Sequence, residues 1–307
     1  MIVEVGGDFR ECCVLKGASC AFGVFDGVHL GHRFIIEKAL EDAQRREAPS
    51  AIITFAQDPD ETFRPDKLKK LMSNDHRLRV LDELGATYVL ALPPTREFFS
   101  LSPQTFLQSV FANNIPASIH VGNDFHFGAK AQGSVATMTS WGALRGMDVR
   151  GYELFALDGA PITATRIRGL LAACNIEEAN KLLGGPFALE GVVESGRGEG
   201  RDMGFRTANV TIPSDLYSLG EGVYGAYAQT ENGKRYKAAV SVGGAPTFGE
   251  AAHANVEAHI LDFNEDIYGQ RLRLEFVAFL RPMIVFESTD ELIRTVMGNI
   301  QWCRDNL

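Results

Sequence analysis

The chain changes character once, at Leu183-Gly184-Gly185-Pro186, and that change constrains its fold more than any other feature. Upstream, β-rich apolar runs at 19–25, 51–55, 87–92, 119–121 and 149–154 alternate with segments of helical period at 30–46, 75–84, 103–113 and 135–145. Strands alternating with helices predict a parallel, doubly wound α/β sheet, a Rossmann-like arrangement. Asn74 is the expected N-cap of the helix that follows it, and Ser102-Pro103 reads as a cap with a first-turn proline. Downstream, short alternating runs at 188–193, 208–212, 224–230, 236–242, 256–261 and 272–279 are separated by turn signals, among them Asn232-Gly233. A helical segment at 288–305 closes the chain, with Ser288 and Glu291 at capping-box spacing. This half predicts a small, mostly-β barrel with a closing helix. Two domains are therefore expected, 1–185 and 186–307, which a chain of 307 residues accommodates comfortably.

Composition removes several function classes. Hydrophobic residues make up 45% and charged residues 22%, which excludes disordered and fibrous chains. A net charge of -9 argues against a nucleic-acid backbone as the ligand, although local basic residues still suit small anions. The start, Met1-Ile2-Val3-Glu4, has no basic segment leading into an apolar one, and no apolar run approaches the ~20 residues of a membrane span. A cytoplasmic protein with no membrane partner is expected. The five cysteines are odd in number, include one adjacent pair and show no C-x-x-C spacing, so they read as reduced thiols.

The strongest chemical signal is Gly23-Val24-Phe25-Asp26-Gly27-Val28-His29-Leu30-Gly31-His32, at the hand-over from first strand to first helix. Ligands of open α/β sheets bind at the carboxyl ends of strands, and a helix N-terminus attracts phosphate. Gly27 and Gly31 allow a close approach of backbone to ligand. His29 and His32, three apart, share a face of the first helical turn, where each can donate to a phosphate oxygen and stabilise a leaving pyrophosphate. Two further segments invite attention. In Ile162-Thr163-Ala164-Thr165-Arg166-Ile167-Arg168, hydroxyls precede a predicted helix carrying two arginines, of which one is suited to reach a triphosphate; a capped helix with a solvated face is the plainer alternative. Val121-Gly122-Asn123-Asp124-Phe125-His126-Phe127-Gly128 follows a strand and suits either the wall of a ring-binding pocket or a tight loop with core phenylalanines. In the second half, Gly196, Gly198, Gly200 and Gly204 with Arg197 and Arg201 form a loop able to lay backbone N–H groups around phosphates. Thr207 and Asn209 beyond it carry short oxygen-bearing side chains that suit Mg²⁺ with bound phosphate.

Together these segments resemble the bacterial bifunctional riboflavin kinase/FAD synthetase family, in the same order and over essentially the whole chain. The family pattern G-x-F-D-G-x-H-x-G-H is met at 23–32, and V-G-x-D-F-x-F-G at 121–128. Of I-S-S-T-x-x-R, Ile162, Thr165 and Arg168 match, while Thr163 and Ala164 stand where the family has serines. Of G-R-x-x-G-F-P-T-A-N, Gly200, Arg201, Gly204, Phe205, Thr207, Ala208 and Asn209 match, and Arg206 replaces the proline. The resemblance implies a nucleotidyltransferase domain followed by a kinase domain, with ATP, riboflavin and FMN as substrates and Mg²⁺ as cofactor. It implies catalytic roles for His29, His32 and Arg168 in adenylyl transfer and for Glu257 as general base of the kinase. Nucleotide and phosphate would be held by Gly23, Phe25, Asp26, Gly27, Gly31, Thr165, Arg166, Gly196, Gly198, Gly200 and Arg201. Flavin would meet Asp124, Phe125 and Phe127, and metal would meet Thr207 and Asn209. Departures at Asp58, Ala164, Arg206, Ala245 and Val285 leave two alternatives: an adenylyltransferase with a degenerate kinase domain, or a flavin-binding regulatory protein without turnover.

Overall fold

The computed structural model describes residues 1–6, 9–63, 69–111, 113–195, 205–243 and 255–307. Two compact units divide the chain, Met1–Ala164 and Thr165–Leu307. In the first, strands β1 (Ile2–Glu4), β2 (Ser19–Phe22), β3 (Ser50–Phe55), β4 (Tyr88–Leu92) and β5 (Ser118–Gly122) belong to one parallel sheet. A two-stranded ribbon of β6 (His126–Phe127) and β7 (Gly133–Ser134) follows, and β8 (Asp148–Tyr152) then completes the sheet in the order β1-β4-β3-β2-β5-β8. Helices α1 (Leu30–Arg46), α2 (Pro59–Phe63), α3 (Asn74–Glu83), α4 (Arg96–Phe99), α5 (Pro103–Phe111) and α6 (Val135–Ala143) connect these strands. The short pair β9 (Ala156–Leu157) and β10 (Ala160–Pro161) ends the unit. The doubly wound expectation is met, and the reason is visible in β3: Ser-Ala-Ile-Ile-Thr-Phe is buried at every position, as a strand covered on both faces must be. Cys20, Phe22 and Ile53 face one core with Phe106 and Phe111; Ala21 and Ile52 face the other with Ile36 and Leu81.

The chain leaves β2 for β3 on one side and later crosses to β5 on the other. The topological switch point of the sheet therefore lies at the carboxyl ends of β2 and β5. The segments 23–32 and 121–128 issue from those two ends. One cap expectation is corrected. Ser73, in extended conformation, caps α3 by accepting from the His76 N–H at 3.2 Å. Asn74 is the first helical residue, and its side chain instead bonds Glu61 and Arg77.

At the opposite end of the sheet, Asp42 of α1 is buried among Ser19, Ser118 and His120. It accepts from Ser118 Oγ at 2.6 Å, Ser19 Oγ at 3.1 Å and Arg46 Nε at 2.8 Å, and from Arg45 and Arg150. Burial pushes its pKa up, but these donors more than offset that and hold the carboxyl well below its usual range. Burial also pushes His120 down. Both shifts leave the folded chain binding fewer protons than the unfolded chain as pH falls. The Asp42 contribution is complete above the unfolded carboxylate pKa of ~3.9 and is lost as pH drops through the depressed folded value. Thermal unfolding followed from about pH 5 down to about pH 2 should show a shallower acid fall in Asp42→Asn than in the unsubstituted chain; parallel acid limbs would count against this account.

The second unit begins with α7 (Ala164–Ala172), which starts at the division, and α8 (Ile176–Leu183). Strands β11 (Phe187–Glu194), β12 (Ala208–Thr211), β13 (Gly222–Thr230), β14 (Arg235–Gly243), β15 (Asn255–Ile260) and β16 (Arg271–Arg281) close a barrel in the order β11-β12-β15-β14-β13-β16. Helix α9 (Thr289–Asn306) follows, capped by Ser288, which accepts from the Glu291 N–H. Ile300 and Cys303 of α9 pack with Phe205, Ala239 and Leu261. Lys237 Nζ donates to the Arg304 carbonyl at 2.6 Å, a cation at a helix C-terminus. The barrel with its closing helix is as expected. The division at 164/165 lies upstream of the 185/186 boundary expected from the change in sequence pattern because both helices are fastened to the barrel unit, α7 through the Gly220 N–H, which donates to the Leu171 carbonyl at 3.0 Å, and α8 through Asn180. Asn180 donates to the Phe276 carbonyl at 2.8 Å and accepts from the Phe187 N–H at 2.7 Å.

Candidate active sites

In the first unit the site grows out of the turn after β2. Phe25 and Val28 have φ of 61° and 39°, and Gly27 has φ of 77°, so three residues turn through left-handed backbone before α1 starts. Only at Gly27 is that conformation free of a side-chain penalty. Gly23 is required for a different reason: a Cβ there would lie 2.8 Å from the Phe25 ring, which folds back over it. Gly31 leaves room for His29, whose ring would stand 3.2 Å from a Cβ at that position.

His29 is the N-cap of α1. Its Nδ1 accepts from the His32 N–H at 3.3 Å, and the two rings stack with centroids 3.6 Å apart. Burial lowers the His29 pKa to about 4. His32 is also pushed well below its ordinary value by burial, then by His29 and Arg77. Both are therefore neutral at pH 7. With Nδ1 of His29 accepting, its proton sits on Nε2, which makes that nitrogen a donor. His32 Nδ1 is buried with no hydrogen-bond partner among the described residues. A buried, unsatisfied ring nitrogen is costly, and a ligand that completes it recovers that cost. Two neutral imidazoles at a helix N-terminus can offer N–H donors to an anion without adding formal charge of their own.

The turn is held from below by Arg77, a residue that sequence reasoning missed. Its buried guanidinium donates to the Val24 carbonyl at 2.7 Å, to Thr54 Oγ1 at 2.6 Å, to the Phe55 carbonyl at 2.7 Å and to Asn74 Oδ1 at 3.2 Å. Asp26 serves the same end, its Oδ1 accepting from the Leu71 N–H at 3.0 Å. Asp58 is buried and accepts from the Asp60 N–H at 2.9 Å, capping α2, with burial raising its pKa. In the second segment, Asp124 is exposed and Phe125 half-buried, whereas Phe127 is buried against Phe106. Ligand-accessible surface here comes from Asp124 and Phe125; Phe127 supports them from the core.

In the second unit Thr165, Arg166 and Arg168 lie on α7 around the buried Ile167. Gly196, Gly198, Gly200, Gly204, Arg201 and Ala245 lie outside the described residues. The remaining site residues meet on the outer face of the barrel. Asn209 of β12 is directly opposite Glu257 of β15, and Ser241 of β14 flanks Glu257 on its other side. Thr207 lies immediately before β12, two residues from Asn209. Asn255, two before Glu257, donates to its carboxylate at 3.0 Å, and His259, two after it, has its Nδ1 2.8 Å from the Arg206 carbonyl. Neither Asn255 nor His259 was legible as a site residue, because their significance comes only from register.

Residues 13–166 match the FAD synthetase family and residues 183–307 match riboflavin kinase. The chain belongs to the bifunctional riboflavin kinase/FAD synthetase family. Among its relatives, the bifunctional riboflavin kinase/FMN adenylyltransferase of Escherichia coli K12 is 33% identical over 92% of this chain and 89% of its own length. That of Pseudomonas fluorescens is 30% identical over 94% and 93%. The crystal structure of a macrolide-efflux protein from Streptococcus pneumoniae superposes with a TM-score of 0.87 at 27% identity, covering 100% of this chain and 99% of that one. No described helix of this family member is long and apolar enough to cross a membrane.

Proposed function

We propose that the chain makes FMN from riboflavin in its second unit and FAD from FMN in its first, using ATP in both. The observation that carries the first half is the stacked, neutral His29/His32 pair at the N-terminus of α1, on the switch point of the sheet. An FMN phosphate oxygen attacks the α-phosphorus of ATP, the bond to the bridging oxygen breaks, and pyrophosphate departs with its charge. His29 Nε2–H and the free N–H groups of α1 meet that charge as it develops. Asp124 and Phe125 are assigned to the flavin side. Thr165, Arg166 and Arg168 are assigned to the nucleotide phosphates on the strength of the family motif.

The second half rests on the Asn209–Glu257 pair and on Thr207, which immediately precedes β12. Glu257 removes the proton of the riboflavin 5′-hydroxyl, whose oxygen attacks the γ-phosphorus of ATP while ADP leaves. Thr207 and Asn209 offer hard oxygen donors, the donor chemistry that Mg²⁺ requires. Such an ion, when bound, neutralises charge on the transferred phosphoryl group. Glycines of 196–204 with Arg201 are assigned to the phosphates.

One tube tests both halves: Mg-ATP, isotopically labelled riboflavin and unlabelled FMN, with products separated by mass. Labelled FMN together with labelled and unlabelled FAD is the expected result. Unlabelled FAD alone would leave an adenylyltransferase with a silent barrel, and no FAD would leave a flavin-binding protein. With Glu257→Gln, labelled FMN should fall at least ~10²-fold, the low end of what a general base contributes, while unlabelled FAD persists.

A further inference from the structure

We propose that His259 is a positioning residue for phosphoryl transfer in the barrel: by holding the Arg206 carbonyl it sets the peptide that leads into Thr207 and so aims that side chain at the phosphate site. The proposal rests on the kinase reading of this unit. Residues 205–207 precede β12 and lie outside its ladder with β15, which pairs Ala208 with Ala258 and Asn209 with Glu257. Strand pairing therefore does not set the peptide that leads into Thr207. Two anchors do. Phe205 is buried with Ala239, Leu261, Ile300 and Cys303, which fixes the chain on one side of Arg206. On the other side His259 Nδ1 donates to the Arg206 carbonyl at 2.8 Å, one side-chain bond that prolongs the β12–β15 pairing past its last backbone rung.

That bond matters more here because residue 206 is arginine. A proline at this position, as in the family pattern, would hold φ near −65° by its ring alone. Arginine leaves φ free, and its side chain is exposed. The plane of the 206–207 peptide then depends on what grips its oxygen. Thr207 is the next residue along, and Asn209, two further, is held in the ladder directly across from Glu257. A tilt of this peptide acts on Thr207, while Asn209 and Glu257 are kept in place by their pairing and Glu257 also by Asn255. Misplacement on the order of 1 Å costs up to ~10²-fold in rate when reacting groups must be aligned.

The test uses the full-length chain and measures kcat and KM for riboflavin phosphorylation, with FAD formation from added FMN as an internal control. His259→Ala should lower kcat about tenfold or more and raise the Mg²⁺ concentration needed for half-maximal rate. The KM for riboflavin and the rate of FAD formation should hold within about twofold. His259→Asn, which keeps an N–H donor near the place of Nδ1, should recover most of the loss. Arg206→Pro should blunt the effect, so that His259→Ala costs less in the Arg206→Pro background than alone, a non-additivity expected of residues acting on one peptide. Equal losses in the Ala and Asn variants, or strictly additive effects with Arg206→Pro, would overturn the proposal. So would wild-type rates in His259→Ala, or a parallel loss of FAD formation. Absence of riboflavin phosphorylation by the unsubstituted chain would instead overturn the kinase reading, and this inference with it.

Discussion

The double substitution His29→Ala/His32→Ala should reduce FAD formation from FMN by at least ~10³-fold, since loss of a single preorganised donor to developing charge costs ~10²–10³-fold. The effect should fall on kcat, because the donors act on charge that appears only as pyrophosphate leaves. Riboflavin phosphorylation should continue, since the barrel closes on its own strands. The single His32→Ala variant is informative in its own right. It removes the buried, unpartnered Nδ1 and so relieves a cost carried by the ligand-free chain. A variant that unfolds at a higher temperature while losing adenylyl transfer would show stability exchanged for function at that nitrogen. Burial has already lowered His29 to about 4, so the rate of FAD formation should be flat on account of this group from pH 6 to pH 8. A titration step near pH 6.5 that disappears in His29→Ala would contradict the neutral assignment. Retention of FAD formation in the double variant would remove the proposed site altogether.

Replacing Arg77 should produce the largest loss of stability in the first unit. Arg77→Ala removes a buried guanidinium that satisfies the Val24 and Phe55 carbonyls and the oxygens of Thr54 and Asn74. It also removes a buried positive charge that acts on the neighbouring carboxylates of Asp58, Asp26 and Glu61. Breaking a buried charged network by deleting one partner costs about 3–5 kcal/mol, enough to consume much of a domain's net stability. Arg77→Lys should recover part of this. An ammonium keeps the charge, but its three donors cannot reproduce the planar fork that reaches Val24 on one side and Phe55 on the other. Because Val24 stands inside the 23–32 segment, FAD formation should decline in both variants, in step with hydrogen exchange at the turn. An Arg77→Ala chain that melts at the unsubstituted temperature and makes FAD at the unsubstituted rate would show that Arg77 is dispensable to both.

The departures from the family pattern that invited a non-catalytic reading acquire structural explanations at two positions. Asp58 is spent locally, as cap of α2 within the charged cluster around Arg77. Arg206 keeps its backbone in register through His259. Val285, by contrast, is 96% exposed in the connection between β16 and α9, beside the exposed Met283 and Ile284, and nothing in the structure explains an apolar residue there.

What the sequence determined by itself was local. The bounds of α1 as read from periodicity, Leu30–Arg46, are those of the helix itself, because period 3.6 and the glycine-bearing turn before it are written within a few residues of each other. The barrel strands and the closing helix were legible for the same reason, through period two and a capping box. The motif 23–32 was legible because glycine and histidine at that spacing have few other uses at a strand-to-helix turn. Elements without a local signature were not legible. β1 is three residues long and exists by virtue of its pairing with β4, some 87 positions on. Ser73 and Asn74 are both competent caps, and only the extended backbone of Ser73 chooses between them. Arg77 looks like any charged residue of an amphipathic helix until β2, β3 and α3 meet around it. His259 looks like an outward strand residue until the β12–β15 register sets it beside the Arg206 carbonyl. Periodicity and steric restriction act between neighbours in the chain, so sequence carries them directly. Which distant donor meets which carbonyl depends on strand order and register, and these are decided only when the sheet and the barrel close.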